Sequence, residues 1–519
     1  MKPLQILIAL VSLFVLLGGI SLVFPANGIP LGPVTLHFAS LKEMFPEARE
    51  EAPKEDPEEA IRRMMEETRA KKLTAFADSI RFYLDFFEKG ATRFDLPAND
   101  PGWFDRFFAS LEKAKEDSSV VHIIHYGDSQ LEEDRISATL RENLQTLFGG
   151  SGPGMLPAVM RVPSITISHW NNGDLEHFQV FAPQEERAAH TRYGPMAQVT
   201  ELSGNAQINI KKRVSKNKND FPLSGTFSQV RLLAGKTSRF SVKLSFEQEI
   251  LADSANPESS KRKRVFQSVE PTVEKKDFIS VYTWKFPSPT GSVRLNLSGK
   301  AEIYAISAEG NSGVAVDNVA MRGSSGTVFN RIHSGSLAEA YQVLNAKLII
   351  LEYGGNLVPS SNKNNIEWTK NLMARQFEAI RKANPEADIL FIGPADMARQ
   401  VNGRFQTYPA LNIVIQALKE AALENDIAYW DMHRVMGGNG SIMKWVKRSP
   451  PLGFTDHVHF TRTGAAHMGN LLFNALSVHY DYYEFRKRHA LDAQEVEEIK
   501  THADTLSLIP DSSETVPEI

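Results

Sequence analysis

The sequence contains no cysteine among its 519 residues, which excludes disulfide bonds, thiolate metal ligands and a cysteine nucleophile. Strong charge of one sign is also lacking, since the formal net charge is −4. No overall basic field therefore points to nucleic acid as a partner. Histidines and carboxylates do not cluster with metal-ligand spacing, so we expect neither a metal nor another cofactor.

Long apolar runs are missing everywhere except at the N-terminus. Leu4 to Phe24 is uncharged, rich in Leu, Ile and Val, and preceded by Lys2. A helix needs roughly 20 apolar residues to cross a bilayer, and this run is longer than the apolar part of most signal peptides. We expect residues 1–26 to be a membrane anchor, with a cleaved signal as the alternative. Either way the bulk of the chain is expected to be periplasmic or extracytoplasmic, anchored in the inner membrane in the first case.

The length of the chain suggests two to four domains. A helical pair is predicted over Leu73–Lys89 and Trp103–Lys115, where apolar side chains recur at helical spacing. The resulting organisation is an acidic spacer (27–72), the helical pair with the first part of an α/β domain (73–161), an insert (162–313), the second part of the α/β domain (314–490) and a tail expected to be disordered (491–519).

Strand and helix patterns alternate on both sides of the insert. An apolar run from Val120 ends at Tyr126-Gly127, and a helix is predicted from about Leu131 to Phe148. Continuous apolar runs indicate parallel strands that are covered on both faces. The sequence therefore predicts a doubly wound parallel sheet. The later strands are predicted at Lys347–Tyr353, Ile389–Gly393 and Ile427–Asp431, and the later helices at Asn364–Ala383, Pro409–Asn425 and Thr463–Val478.

The insert has a different period. Apolar and polar residues alternate along Arg239–Glu247 and again along Ser292–Leu297. A period of two indicates half-buried strands, and several such strands without intervening helices predict an antiparallel β-sandwich over residues 162–313.

Four short motifs contain the residue types that nucleophilic hydrolysis needs: a hydroxyl, a base, a group that orients the base, and donors for an oxyanion. Each of the four follows a predicted strand or lies in a loop beside one, at the sheet edge where sites form in open α/β folds. The motifs are Gly127-Asp128-Ser129-Gln130, Gly323, Gly354-Gly355-Asn356 and Asp456-His457-Val458-His459. In this order they resemble the four blocks of the SGNH, or GDSL-type, hydrolases.

The resemblance implies a flavodoxin-like sheet and a role for each motif. Ser129 would be the nucleophile, His459 its base, and Asp456 the carboxylate that orients the imidazole. The oxyanion would be bound by the backbone N–H groups of Ser129 and Gly323 and by the side-chain amide of Asn356. The chain departs from the common family pattern at two positions: Gln130 stands where Leu is frequent, and Leu357 where Asp is frequent.

The other polar residues near these motifs have simpler interpretations. We expect His122, His125 and His457 to be structural histidines, and Asp128 to form a turn. Asp431 ends a strand and is expected to cap the following helix.

The position of the insert narrows the resemblance, because it separates Ser129 from Gly323 where a plain α/β domain has one βα unit. This arrangement resembles the peptidoglycan O-acetylesterases, whose insert is similar to a carbohydrate-binding module. It implies a serine esterase that removes O-acyl groups, chiefly O-acetyl, from an envelope polysaccharide through an acyl-enzyme. Two alternatives stay open: a polysaccharide O-acyltransferase with the same triad, and a non-catalytic glycan-binding protein. The sequence leaves the polysaccharide, the acyl group and the oligomeric state open.

Overall fold

The structure, a computed structural model, describes residues 3–25, 27–31, 34–38, 57–213, 221–251 and 262–507. It divides into two compact units, Met1–Phe76 and Ala77–Ile519, which are described separately. Much of the predicted acidic spacer, residues 39–56, lies outside the described residues.

The first unit begins with helix α1 (Pro3–Val23), followed by the antiparallel pair β1 (Ile29–Leu31) and β2 (Val34–Leu36). The segment Leu4–Val23 has a mean hydropathy of 2.8 and is long and apolar enough to cross a membrane. A signal sequence would pass the same test, so both interpretations of this segment remain. Helix α2 (Pro57–Lys89) starts in this unit, and residues 57–72 are therefore helical.

The described residues of the second unit form nine further helices. The last of them corrects the prediction of a disordered tail from residue 491, because residues 493–507 are helical. Val496 and Ile499, one turn apart, are buried, and this apolar face was overlooked in the acidic sequence. Residues 508–519 lie outside the described part. The nine helices are α3 (Asp105–Glu116), α4 (Ser137–Phe148), α5 (Ser334–Leu344), α6 (Ile366–Ala383), α7 (Leu411–Glu424), α8 (Met432–Met436), α9 (Ser441–Lys447), α10 (Arg462–His489) and α11 (Ala493–Ser507).

Six strands form the sheet that carries the predicted motifs. They are β3 (Phe94–Asp95), β4 (Val120–Gly127), β13 (Gly313–Ala320), β14 (Ala346–Glu352), β15 (Asp388–Ile392) and β18 (Ala428–Trp430). Their order is β13-β4-β14-β15-β18-β3, with only β3 antiparallel to its neighbour. Counting the five parallel strands along the chain gives the order 2-1-3-4-5, which is the flavodoxin-like doubly wound arrangement. This confirms the predicted α/β fold.

Both faces of this sheet are covered, as the continuous apolar runs predicted. Successive residues of β4 point to opposite sides: Val121 and Ile123 pack into one buried cluster, Ile124 and Tyr126 into another. The covering helices leave the carboxyl ends of the strands free for loops, where the motifs lie. A small hairpin, β16 (Ala398–Val401) with β17 (Arg404–Thr407), lies after β15.

The insert is an antiparallel sheet of eight strands in the order β10-β11-β8-β12-β7-β6, with β5 added to β12 and β9 to β8. It begins earlier and ends earlier than predicted, since β5 precedes residue 162 and Gly313 already starts β13. Hydrogen bonds join its strands into one sheet, so the two separate sheets of a sandwich are not confirmed. The strands are β5 (Gly154–Leu156), β6 (Ile167–Gln179), β7 (Gln198–Lys212), β8 (Phe227–Leu251), β9 (Arg262–Val269), β10 (Thr272–Lys275), β11 (Ser280–Thr290) and β12 (Ser292–Glu309).

A buried cluster of charged groups joins this insert to the parallel sheet. His122 on β4 contacts Asp317 on β13 (Nδ1 to Oδ2, 2.7 Å) and Glu309 on β12 (Nε2 to Oε2, 2.9 Å). Arg231 on β8 pairs with the other oxygen of Glu309 at 2.7 Å. Burial alone would lower the pKa of His122, but the two carboxylates raise it to about 9. His122 is thus a fully buried structural histidine with both ring nitrogens bonded.

Candidate active site

One cavity of about 680 Å³ at the carboxyl edge of the parallel sheet contains residues of all four motifs. Ser129 follows β4, Gly323 follows β13 and Asn356 follows β14, so three adjacent strands deliver three motifs to one edge. Asp456 and His459 come from the loop between α9 and α10. The fold therefore brings together the residues that the sequence placed in one site.

Ser129, His459 and Asp456 form a continuous hydrogen-bonded chain. The Ser129 Oγ lies 2.8 Å from His459 Nε2. The other ring nitrogen, His459 Nδ1, lies 2.7 Å from Asp456 Oδ2. These distances are within the range in which a proton passes between hydroxyl and imidazole.

Backbone hydrogen bonds hold the Asp456 carboxylate beside the His459 ring. Its Oδ1 accepts hydrogen bonds from the N–H groups of Val458 (2.9 Å) and His459 (3.0 Å), which leaves Oδ2 for the ring. Burial alone would raise the pKa of Asp456, but the bonds from the His459 ring and from these two N–H groups lower it. Asp456 is therefore held as a carboxylate, the state in which it can accept a hydrogen bond from the His459 Nδ1–H group.

The segment after Ser129 differs from the predicted helix. Residues Ser129–Asp134 form an irregular 3₁₀ turn, and α4 begins only at Ser137. Glu133 and Asp134 adopt left-handed backbone angles, with φ of 61° and 67°, which interrupt a helix. The N-terminus of a full α-helix therefore does not lie at Ser129.

Gln130 joins the loop of Ser129 to the loop of His459. Its side-chain Nε2 donates to the Val458 carbonyl (2.8 Å), and its Oε1 accepts from the Phe460 N–H (3.2 Å). Arg135 adds a second link, donating to the carbonyls of Ser129 and Phe460 at 2.9 Å each. A Leu at position 130 could make neither of the two Gln130 side-chain bonds, so this departure from the family pattern has a structural role here.

The other two predicted oxyanion donors, Gly323 and Asn356, line the same cavity as Ser129. Gly323 has a φ of 75°, a conformation that favours glycine, and no atom lies within 4 Å of where a Cβ would be. The conformation, rather than lack of space, is the reason for glycine at this position. The Asn356 amide Nδ2 donates to Asp128 Oδ2 (3.2 Å) and to the Ser324 carbonyl (3.1 Å), which occupies both of its hydrogens.

Asp128 does more than form the expected turn. Its Oδ1 accepts the Gln130 N–H at 3.0 Å, as a turn residue does, while Oδ2 holds Asn356. Burial, together with the nearby carboxylate of Glu352, raises the pKa of Asp128 to about 7. A group that titrates near neutrality thus contacts a predicted oxyanion donor.

The remaining residues singled out by the sequence have structural positions. The His457 ring stacks on Phe405 with centroids 3.6 Å apart. Asp431 caps α8 by accepting the Arg434 N–H at 2.9 Å. His125 is buried and bonded to Glu352 (Nε2 to Oε2, 3.0 Å).

Three acidic residues on the cavity wall, Glu132, Glu133 and Glu352, were missed. Glu352 is the last residue of β14, and a carboxylate at the end of an apolar run was a usable signal. Glu132 forms an ion pair with Arg322, the neighbour of Gly323. That ion pair joins residues far apart in the chain, so no local sequence pattern predicts it.

No protein-family model matches the sequence, and no curated protein matches it. Among solved structures, a peptidoglycan O-acetylesterase superposes with a TM-score of 0.54 and 17% identity, over 72% of this chain and 95% of that one. A family two carbohydrate esterase from Cellvibrio japonicus has 11% identity and a TM-score of 0.24, over 61% of this chain and 99% of its own. An acetyl xylan esterase has 13% identity and a TM-score of 0.25, over 31% and 81%.

The last two TM-scores are too low to define a fold. The superposition on the peptidoglycan O-acetylesterase, in contrast, covers most of both chains. At 17% identity that likeness concerns the fold alone. With the fold of that esterase and four motifs gathered at one cavity, the chain resembles the SGNH hydrolases.

Proposed function

We propose that this protein is an exported serine esterase that removes O-acetyl groups from an envelope polysaccharide such as peptidoglycan. The observation that carries the proposal is the hydrogen-bonded chain from Ser129 Oγ through His459 to Asp456, lying in an open cavity. The fold shared with a peptidoglycan O-acetylesterase supports the substrate class. Helix α1 would hold the enzyme at the outer face of the inner membrane.

The proposed reaction has two halves. In the first, His459 Nε2 takes the Ser129 proton while Oγ attacks the acetyl carbonyl carbon, and the imidazolium then protonates the departing sugar oxygen. In the second, water attacks the acetyl-enzyme with His459 again as base, and acetate leaves. Asp456 stabilises the imidazolium in both halves without taking its proton.

The oxyanion formed in each half would be bound by the N–H groups of Ser129 and Gly323 and by the Asn356 amide. Because both Asn356 hydrogens are already engaged, one of them must exchange its partner for the oxyanion. The bond to Asp128 is the one that protonation of Asp128 would weaken, since a neutral acid is a poorer acceptor.

The test is a comparison of substrates with the purified full-length protein. Acetate release is measured on O-acetylated peptidoglycan, on acetylated xylan, and on peptidoglycan whose esters were removed by mild alkali. Acetate should come from the first substrate fastest and from the last not at all, and a serine-reactive phosphonate should label Ser129. Absence of both acetate and label would contradict an esterase. Acetyl transfer to an added glycan, without free acetate, would show a transferase instead.

Asp128 should affect catalysis through Asn356. An Asn at position 128 has one acceptor oxygen and cannot serve both Gln130 and Asn356. Asp128→Asn should therefore remove the contact that orients the Asn356 amide in the cavity, and lower kcat by roughly 10- to 100-fold with little change in KM. In an Asn356→Ala background, the same substitution should cost less than about threefold. Steady-state kinetics on an aryl acetate measures all four proteins. Equal losses of kcat in both backgrounds would show that Asp128 does not act through Asn356.

A further inference from the structure

The ion pair between Glu132 and Arg322 connects the two loops that carry the predicted backbone donors. Glu132 lies three residues after Ser129, and Arg322 directly precedes Gly323. The guanidinium contacts both carboxylate oxygens: Nε contacts Oε1, and Nη2 lies 2.5 Å from Oε2. A bidentate pair of this kind fixes the relative orientation of its partners as well as their distance. The Ser129 loop and the Gly323 loop are therefore linked at the wall of the cavity.

Glu132 is the fixed partner of this pair. Its side chain is 10% exposed, whereas the side chain of Arg322 is 70% exposed. The Glu132 carbonyl accepts hydrogen bonds from the backbone N–H and the side-chain Nε of Arg135, at 3.3 and 2.9 Å. Arg135 also donates to the Ser129 carbonyl, so Glu132 and Ser129 are held together. An exposed ion pair contributes little, but a buried carboxylate that loses its partner is costly, which favours the paired state.

Gly323, in contrast, has few contacts of its own. No atom lies within 4 Å of where a Cβ would be, so no packing fixes its position. Its N–H donates to no acceptor in the part of the chain that the structure describes. Both neighbours are held, since the Ser324 carbonyl accepts from the Asn356 amide at 3.1 Å and Arg322 is paired with Glu132. The position of the Gly323 N–H therefore depends on the contacts of residues 322 and 324.

We infer that Glu132 and Arg322 are positioning residues, which hold the Gly323 N–H where it can donate to the oxyanion. This N–H belongs to the planar peptide group that joins Arg322 to Gly323, so a backbone rotation at Arg322 turns it. Glycine would permit such a rotation, because it can adopt many backbone conformations. An anchored Arg322 side chain opposes the rotation. The inference rests on the ester-cleaving part of the proposed function and not on the identity of the polysaccharide.

Breaking the pair should lower kcat rather than raise KM. The negative charge on the ester oxygen develops only as the reaction proceeds, so a displaced donor weakens the transition state and leaves substrate binding unchanged. Loss of one oxyanion donor typically costs roughly 10²- to 10³-fold in kcat. A donor that is loosened rather than removed should cost less.

The experiment is a double-mutant cycle on the purified full-length protein, with an aryl acetate as the substrate. Arg322→Met and Glu132→Met should each lower kcat roughly 10- to 50-fold, with KM changed by less than about threefold. The double variant should lose about as much as either single variant, because each of them already breaks the pair. Arg322→Lys keeps the charge but not the bidentate geometry, and its kcat should lie between those of Arg322→Met and the wild type.

The rate of Ser129 labelling by an aryl phosphonate provides a second measurement. The phosphonate adduct has a tetrahedral centre whose oxygen occupies the oxyanion position, so its formation needs the same donors. The labelling rates of the four variants should therefore fall in parallel with kcat/KM. A merely structural role of the pair would not produce this correlation.

The matched control is Arg192→Met. Arg192, between β6 and β7, also forms a bidentate pair with a mostly buried carboxylate, Glu302, and neither residue lines the Ser129 cavity. Its kcat should stay within about twofold of the wild-type value. Three results would each overturn the inference: a loss in KM instead of kcat, single losses that multiply in the double variant, or an equal loss in Arg192→Met.

Failure of the proposed substrate would be a separate result. A wild type that cleaves the aryl acetate but no polysaccharide ester would contradict the proposed function, while the cycle of kcat values would still decide the inference. A wild type without any turnover of the aryl acetate would overturn both.

Discussion

Ser129→Ala is expected to lower kcat on an aryl acetate by roughly 10⁴-fold or more, because no other hydroxyl among the residues that the structure describes is bonded to His459. The site acts as a unit, so removal of the nucleophile leaves an imidazole with no group to activate. The loss should be in kcat, since the cavity that binds the ester is otherwise unchanged. Release of the aryl alcohol, followed spectrophotometrically, measures it.

A matched serine variant separates the nucleophile from a general effect of losing a hydroxyl. Ser360 lies in the loop after Asn356, is exposed, and donates only to the Leu357 carbonyl at 3.2 Å. Ser360→Ala should keep nearly full activity, and both variants should keep the wild-type circular dichroism. Turnover of Ser129→Ala near the wild-type rate would disprove the acyl-enzyme mechanism.

Asp456→Asn should lower kcat by roughly 10⁴-fold while leaving the fold intact. The carboxylate serves two backbone N–H groups with Oδ1 and the His459 ring with Oδ2. Asparagine has a single acceptor oxygen, and if it faces the backbone, the NH₂ faces Nδ1. The imidazole must then carry its proton on Nε2, where it cannot accept the one from Ser129.

The matched control is Asp431→Asn, because asparagine caps a helix as well as aspartate does. Asp431 bonds to the Arg434 N–H, so its variant should retain activity and stability. Measuring kcat across a range of pH would distinguish the two variants. Asp456→Asn should stay inactive at every pH, whereas Asp431→Asn should follow the wild-type profile. A loss of less than tenfold would mean that Asp456 does not set the tautomer of His459.

The sequence predicted the residues of the site because each motif is local. Gly127-Asp128-Ser129 and Asp456-His457-Val458-His459 can be recognised from a few neighbours, and the parallel strands show where they meet. The links made by Gln130, Arg135 and the Glu132–Arg322 pair join residues distant in the chain, and nothing in the sequence around them indicates the partner.

The failures in the fold have the same physical origin. The turn at Glu133 and Asp134 is held by tertiary contacts, including the ion pair from Arg141 to Asp134, so local propensity predicted a helix instead. Strand β13 was overlooked because its apolar run, Val314-Ala315-Val316, is short and is followed by Asp317 and Asn318. In the insert, alternation predicted strands correctly, but pairing over long distances decides how the sheet closes.

The charged cluster around His122 connects the insert to β4, the strand that ends just before the Ser129 loop. Excising the insert would remove Glu309 and Arg231, so His122 would keep Asp317 alone as a charged partner, and removing a partner from a buried ionic group typically costs about 3–5 kcal/mol. We expect relatives without the insert to carry other residues at positions 122 and 317. Neither position lines the cavity that contains Ser129, so these two residues should indicate the presence of the insert independently of the substrate.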